Sequence, residues 1–163
     1  MGHKVYIGIG SNLEKEKNIR SCIALLHKNY QSIVVSPVYE TQSMGFDGPN
    51  FYNLVSSFYT EQDIYALKEQ LKKIENKHGR NFNETKFSSR TLDIDILYYD
   101  DLVLSNDKID IPRKEIIEYD FVLKPLIDIA ADFIHPTLNI SHIEIMAKHN
   151  IKKQIISQID FDL

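Results

Sequence analysis

Asp93 and Asp95 stand two residues apart in Leu92-Asp93-Ile94-Asp95-Ile96-Leu97-Tyr98, a run whose alternation suits a strand. Alternate side chains of a strand point to opposite faces, so the two carboxylates share one face, about 7 Å apart along the chain. Leu92, Ile94, Ile96 and Tyr98 take the other face. Two carboxylates this close repel, and a divalent cation removes the conflict. Magnesium takes oxygen ligands, keeps several waters and uses one or two carboxylates together with substrate phosphates. Arg80, Lys86 and Arg90 lie just before this run and are suited to phosphate oxygens that a metal also touches. The pattern therefore points to a metal–nucleotide site. The competing reading is a surface strand that turns two aspartates to water.

Other motifs narrow the chemistry. Gly8-Ile9-Gly10-Ser11-Asn12-Leu13 begins like a dinucleotide fingerprint, but Leu13 occupies the place of the third glycine. Gly8 and Gly10 suit either close backbone approach at a strand end or a direct ligand role. The P-loop pattern G-x-x-x-x-G-K-[ST] and the hydrolase pattern G-x-S-x-G do not occur. The histidines are scattered at positions 3, 27, 78, 135, 142 and 149, with no H-E-x-x-H. Phe51 and Asn53 are two apart on an expected strand, where an aromatic and an amide could grip a flat heterocycle. Core packing is the alternative for Phe51, as it is for Phe87 and Phe121.

The elements that must position these residues alternate in period. Residues 5–9 read as a short buried strand, ended by the turn cluster Gly10-Ser11-Asn12. From about Lys15 to Asn29, Ile19, Cys22, Ile23 and Leu26 fall at helical spacing. Gln31 to Thr41 and Phe51 to Tyr59 read as strands, separated by a loop holding two glycines and Pro49. Glu61 to Lys77 reads as a helix with Ile64, Leu67, Leu71 and Ile74 on one stripe, and Gly79 stands where a C-terminal cap belongs. Residues 81–89 read as polar loop and 92–99 as a strand. The order β-α-β-β-α-β is that of a ferredoxin-like α/β (α+β) core with a mainly antiparallel sheet. The remainder predicts a short strand near 102–104 and helices over 115–131 and from Ser141 onward.

Composition sets outer bounds. The chain has 163 residues, 43% hydrophobic and 26% charged, which suits one folded domain over 1–163 and excludes disorder as its main state. A net charge of −4 argues against a basic nucleic-acid groove. The single cysteine, Cys22, sits on an apolar helical stripe, as a buried inert thiol would, and it excludes both an intrachain disulfide and a multi-thiolate zinc site. With no long apolar run and no signal-like start, the expectation is a cytoplasmic monomer without membrane or nucleic-acid partners.

Four motifs in order carry a family resemblance. Lys86-Phe87-Ser88-Ser89-Arg90-Thr91-Leu92-Asp93-Ile94-Asp95-Ile96-Leu97 resembles the signature of the 6-hydroxymethyl-7,8-dihydropterin pyrophosphokinases. Residues 6–13, residues 36–41 with 50–53, and residues 121–130 are similar to that family's opening strand, pterin-binding stretch and late helix. The resemblance implies transfer of pyrophosphate from ATP to the pterin hydroxymethyl group in folate biosynthesis, with release of AMP. It implies two Mg2+ ions on Asp93 and Asp95, and Arg80 and Arg90 on the triphosphate. Glu75, Ile96 and Arg113 match positions near the nucleotide. Thr41, Gln42, Met44, Phe51, Asn53, Phe87 and Phe121 match the pterin site. Departures from the usual pattern are Ser88 and Ser89 for glycine and proline, Gln42 for proline, Phe82 and Tyr119 for arginines, and Arg113 for histidine. The alternative is a diverged pterin-binding paralogue or sensor without kinase activity.

Overall fold

The computed structural model describes residues 2–79, 92–161 and 163. Arg80, Phe82, Lys86, Phe87, Ser88, Ser89 and Arg90 lie outside the described residues. The chain runs β1 (His3–Ser11), α1 (Lys15–Asn29), β2 (Gln31–Val35), β3 (Val38–Thr41), β4 (Phe51–Thr60), α2 (Ile64–Lys77) and β5 (Asp93–Tyr99). Then follow the short pair β6 (Leu104–Ser105) and β7 (Asp110–Ile111), a 3-10 turn (Lys114–Ile117), α3 (Asp120–Ala130), α4 (His142–Lys148) and β8 (Ile155–Ile159). The main sheet is ordered β5-β1-β4-β3-β8, with β2 also on β4, and all its pairings are antiparallel. With β2 and β3 sharing the second position, this is the expected ferredoxin-like order.

Apolar periodicity explains the layering. Ile19, Cys22, Ile23 and Leu26 of α1 and Ile64, Leu67, Leu71 and Ile74 of α2 are buried against one sheet face, together with Val5, Ile7 and Ile9 of β1. Asp63 caps α2 by accepting the Ala66 N–H at 2.8 Å, and Gly79 takes the left-handed conformation after its last turn. Cys22 is buried as expected, and burial, then the nearby Glu75, pushes its thiol up to about 12. The second face packs Tyr6, Val55, Leu97 and Tyr98 against Val122, Leu123 and Leu126 of α3 and Ile145 of α4.

Four sequence expectations are corrected. Gln31 to Thr41 forms two strands rather than one, because Pro37 lacks the N–H that a continuous ladder needs. At the break the Ser36 hydroxyl accepts the Val55 N–H at 2.9 Å and donates to the Pro37 carbonyl at 2.8 Å. Strict alternation along β5 fails beyond Ile96. Ile7 pairs with Ile96 but Tyr6 pairs with Tyr98, so Leu97 is the extra residue of a bulge. Tyr98 therefore joins Leu97 on the second face, and Tyr99 takes its expected place beside Ile94 and Ile96. The helix expected from 115 opens as a 3-10 turn, and α3 starts at Asp120. The helix expected from Ser141 onward is short: a Ser141–Glu144 capping box starts it, the chain is extended again at His149, and 155–159 pairs with the edge of β3. Covering that edge satisfies β3 groups that would otherwise be open to other chains.

Below α4 lies a buried polar link. His142 is fully buried; its Nδ1 donates to the Ala130 carbonyl at 2.7 Å and its Nε2 accepts from the Tyr98 hydroxyl at 2.9 Å. Burial lowers its pKa from 6.5 to about 4, with the Ala130 bond opposing and His135 adding to the shift. Between these pH values the unfolded chain binds a proton that the folded chain refuses, so stability is lost as pH is lowered from 6.5 to 4. Over that window the loss reaches roughly 3 kcal/mol. In urea titrations, His142→Gln should be less stable than the parent at pH 7, and the gap should narrow steadily as pH is lowered from 6.5 to 4. A gap independent of pH would contradict this account.

Candidate active site

The site begins with two residues that have no side chains. On the central strand β1, Gly10 lies opposite Asp93 of β5 on one side and Asn53 of β4 on the other. Gly8 lies between Asp95 and Val55 in the same way. Directly paired residues share a face, so Asp93, Gly10 and Asn53 form one row across the sheet, about 10 Å end to end. The missing side chains in the middle leave a floor between carboxylates and amide. A Cβ on Gly10 would come within 3.0 Å of Asn53 Oδ1. The sequence reading left open whether these glycines serve backbone approach or a ligand; they line the cleft themselves.

Over that floor stand two walls. One carries Thr41, Gln42, Met44, Phe46, Phe51 and Asn53; the other carries Phe121 and Val122 of α3, with Glu115 nearby. Asn53 Nδ2 donates to the buried Thr41 hydroxyl at 2.8 Å, which fixes the amide plane and aims its oxygen at the floor. Phe46 meets Phe51 edge to face with ring centroids 6.4 Å apart. The cleft is thus flanked by aromatics, with one oriented amide inside and two acids at its end. All six described residues of the sequence-derived pterin set lie together in it: Thr41, Gln42, Met44, Phe51, Asn53 and Phe121.

A second cleft adjoins it, lined by Lys68, Lys72 and Glu75 of α2, residues 93–96 of β5, and Lys108, Ile109, Asp110, Ile111 and Arg113. Among the described residues β5 pairs in the main sheet with β1 alone, and its outer edge carries no further strand of that sheet. Ile94 directs its N–H outward to buried Glu75 Oε2 at 2.8 Å, and the pleat puts the backbone of Ile96 on the same edge. Four cations crowd this space. Burial first, then Lys72, lowers the Lys68 pKa; Glu69 offsets part of this, and Arg113 and Lys108 add to it. Burial also pulls Arg113 down, but the carboxylates of Asp95, Glu115 and Asp110 outweigh it and raise its pKa. Arg113 donates to Glu115 Oε2 from Nε at 3.0 Å and Nη2 at 2.7 Å. The same lining holds the carboxylates of Glu75, Asp93, Asp95 and Asp110, so the four cations offer an anion local rather than net attraction. Glu75, Ile96 and Arg113, the residues matched to the nucleotide, all line this cleft.

Asp93 and Asp95 line both clefts, and both are half-buried. They are hard oxygen donors at a seam, and no group of three or more metal-ligating side chains occurs among the described residues. A pair of carboxylates fits an ion that completes its shell with water and phosphate oxygens, as magnesium does. Sequence reasoning missed Lys68, Lys72 and Lys108, as well as Phe46, Glu115 and Val122. Lys68, Lys72 and Glu75 recur at i, i+4 and i+7 on α2, a signal that could have placed the two lysines beside Glu75. Lys108 gave no such signal.

Comparison with known proteins follows the same lines. The sequence model of the 7,8-dihydro-6-hydroxymethylpterin-pyrophosphokinase family matches residues 6–131. The chain belongs to this family. The 2-amino-4-hydroxy-6-hydroxymethyldihydropteridine pyrophosphokinase of Haemophilus influenzae is 31% identical over 139 residues, which cover 83% of this chain and 86% of that protein. Its Bacillus subtilis counterpart is 34% identical over 133 residues, 79% of each chain. The folic acid synthesis protein FOL1 of Dictyostelium discoideum is 38% identical over 84% of this chain, but the match spans only 21% of that longer protein. The crystal structure of Plasmodium falciparum HPPK-DHPS shares the fold at a TM-score of 0.70 and 14% identity, covering 91% of this chain and 45% of that one.

Glu75 serves the frame of the second cleft as well as its lining, because its carboxylate accepts an amide of the strand that carries both aspartates. Glu75→Ala should lower unfolding stability by about 1–3 kcal/mol through the stranded Ile94 N–H. Urea denaturation with no ligand present measures it, and an unchanged midpoint would remove the framing role.

Proposed function

We propose that this chain transfers the pyrophosphoryl group of ATP to the hydroxymethyl oxygen of 6-hydroxymethyl-7,8-dihydropterin, releasing AMP, a step of folate synthesis. One observation carries the reading: Asp93 and Asp95 border an aromatic cleft and a cationic cleft at once. A flat acceptor in the first and a polyphosphate in the second would meet at these carboxylates. The family membership of the chain supports the same reaction.

The chemistry asked of the protein is chiefly alignment and charge compensation. Phe51 and Phe121 offer apolar ring faces to a bicyclic ligand, while the Asn53 amide reads its hydrogen-bonding edge. Lys68, Lys72, Lys108 and Arg113 would attract the nucleotide phosphates, and the outer edge of β5 at Ile96 would face a base with backbone groups. Asp93 and Asp95 would hold two Mg2+ ions, which supply charge screening for the triphosphate. The pterin oxygen then forms a bond to the β-phosphorus, the bond from that phosphorus to the α–β bridging oxygen breaks, AMP carries the bridging oxygen away, and the hydroxyl proton is released. Arg80 and Arg90 on the triphosphate and Phe87 over the pterin complete the assignment by resemblance. We place the activity in a single domain, residues 1–163, acting as a cytoplasmic monomer with neither nucleic acid nor membrane as partner. No helix among the described residues is long and apolar enough to cross a membrane.

With ATP, magnesium and the pterin, AMP should appear in equal amount to pyrophosphorylated pterin; formation of ADP instead would overturn the bond assignment. Asp95→Ala should lower turnover by about 10²–10³-fold while the unfolding midpoint stays near that of the parent. Turnover at the parental rate would remove Asp95 from the metal assignment. Magnesium-independent pterin binding without turnover would identify a sensor instead.

A further inference from the structure

Residues 132–163 lie beyond the segment matched by the family, yet part of this tail returns to the aromatic cleft's supports. Asp120, the first residue of α3, is 6% exposed and lies immediately before Phe121. Its Oδ1 accepts the Gln154 N–H at 2.8 Å, and the Ile155 N–H reaches Oδ1 at 3.3 Å and Oδ2 at 3.2 Å. Its own N–H donates to the Lys152 carbonyl at 3.1 Å, and the Lys152 N–H donates to the Glu118 carbonyl at 2.8 Å. The preceding residue is tied to the same tail: Tyr119 bridges Lys152, whose Nζ lies 5.3 Å from the centre of the Tyr119 ring. Tyr119 in turn stacks on Phe121 with ring centroids 5.2 Å apart.

The other end of this strap holds the opposite wall. Ile155 starts β8 and pairs with Thr41, whose hydroxyl orients Asn53. One stretch, 152–155, therefore joins the wall bearing Phe121 to the wall bearing Thr41 and Asn53. Farther along α3, Asp128 accepts a hydrogen bond from the Tyr39 hydroxyl of β3, so the helix is fastened to the same strand at a second point.

We propose that Asp120 is a positioning residue for the pterin cleft: by capturing the amides of Gln154 and Ile155, it sets the separation between Phe121 and the Thr41–Asn53 wall. Asp120 lines neither cleft, so it acts through Phe121 and β8. A carboxylate suits the task, because it accepts two amides at once without donating to either. The cationic cleft depends on α2, β5 and the 108–113 segment, which this strap does not join.

The inference rests on the pterin reading above, and the test separates the two. Calorimetry on the full chain would compare the parent, Asp120→Ala and Asp120→Asn, with the pterin and, separately, with magnesium and an unreactive ATP analogue. Asp120→Ala should weaken pterin binding by about tenfold and leave analogue binding within about twofold. Asp120→Asn keeps one acceptor oxygen and should lose less. In turnover assays the same split appears as a raised KM for pterin with kcat nearly unchanged. Unchanged pterin affinity, or parallel loss of both affinities, would overturn the proposal. If the alanine variant does not fold, the same split in the isosteric asparagine variant decides. A parent that binds no pterin either alone or with magnesium and the analogue present would refute the functional reading instead.

Discussion

The register of one strand governs the site. β1 lies between β4 and β5, and its Gly10 and Gly8 stand level with Asn53 and Val55 on one neighbour and with Asp93 and Asp95 on the other. A slip of one residue would turn Ile7 and Ile9 into the cleft and bury the glycines' positions in the core. The register is held from below, because Val5, Ile7 and Ile9 are the residues that α1 and α2 cover. The hydrophobic core and the floor of the cleft are therefore alternate residues of one segment, and packing on one face places the cleft on the other.

Much of this could be read before any coordinates. Helical stripes placed α1 and α2 and their buried residues, because a 3.6-residue period survives in an isolated sequence. The carboxylate pair stood out for the same kind of reason: two acids in an otherwise apolar alternating strand mark a face that the core does not take, and that face lines the cleft. Membership in a pterin pyrophosphokinase family was legible from motif order. The meeting of Thr41, Met44, Phe51, Asn53 and Phe121 at one cleft follows that resemblance and not periodicity.

What escaped reading depends on contacts distant in sequence. The bulge at Leu97 is set by β1 and leaves no mark in β5 itself. The strand at 155–159 forms because β3 has an edge to fill, while the local sequence Ile155-Ile156-Ser157-Gln158-Ile159 follows a helix too short to advertise its end. Lys108 reaches the cationic cleft from the turn between β6 and β7, a placement that only the folded chain supplies. Burial of Asp120 was likewise invisible, since an acid at a helix start is ordinarily a solvated group favoured by the helix dipole.

The shared wall between the two clefts makes them partners in thermodynamics as well as in space. Charge brought to Asp93 and Asp95 from one side would alter the field felt on the other, so under the proposed function occupancy of either cleft would change the affinity of its neighbour. Linkage requires the factor to be the same in both directions: however much a bound polyphosphate helps or hinders a flat guest, the guest returns that influence in full. A competitor shaped for one chamber would thus carry a strength that depends on how full the adjoining chamber is, even where the two molecules never touch.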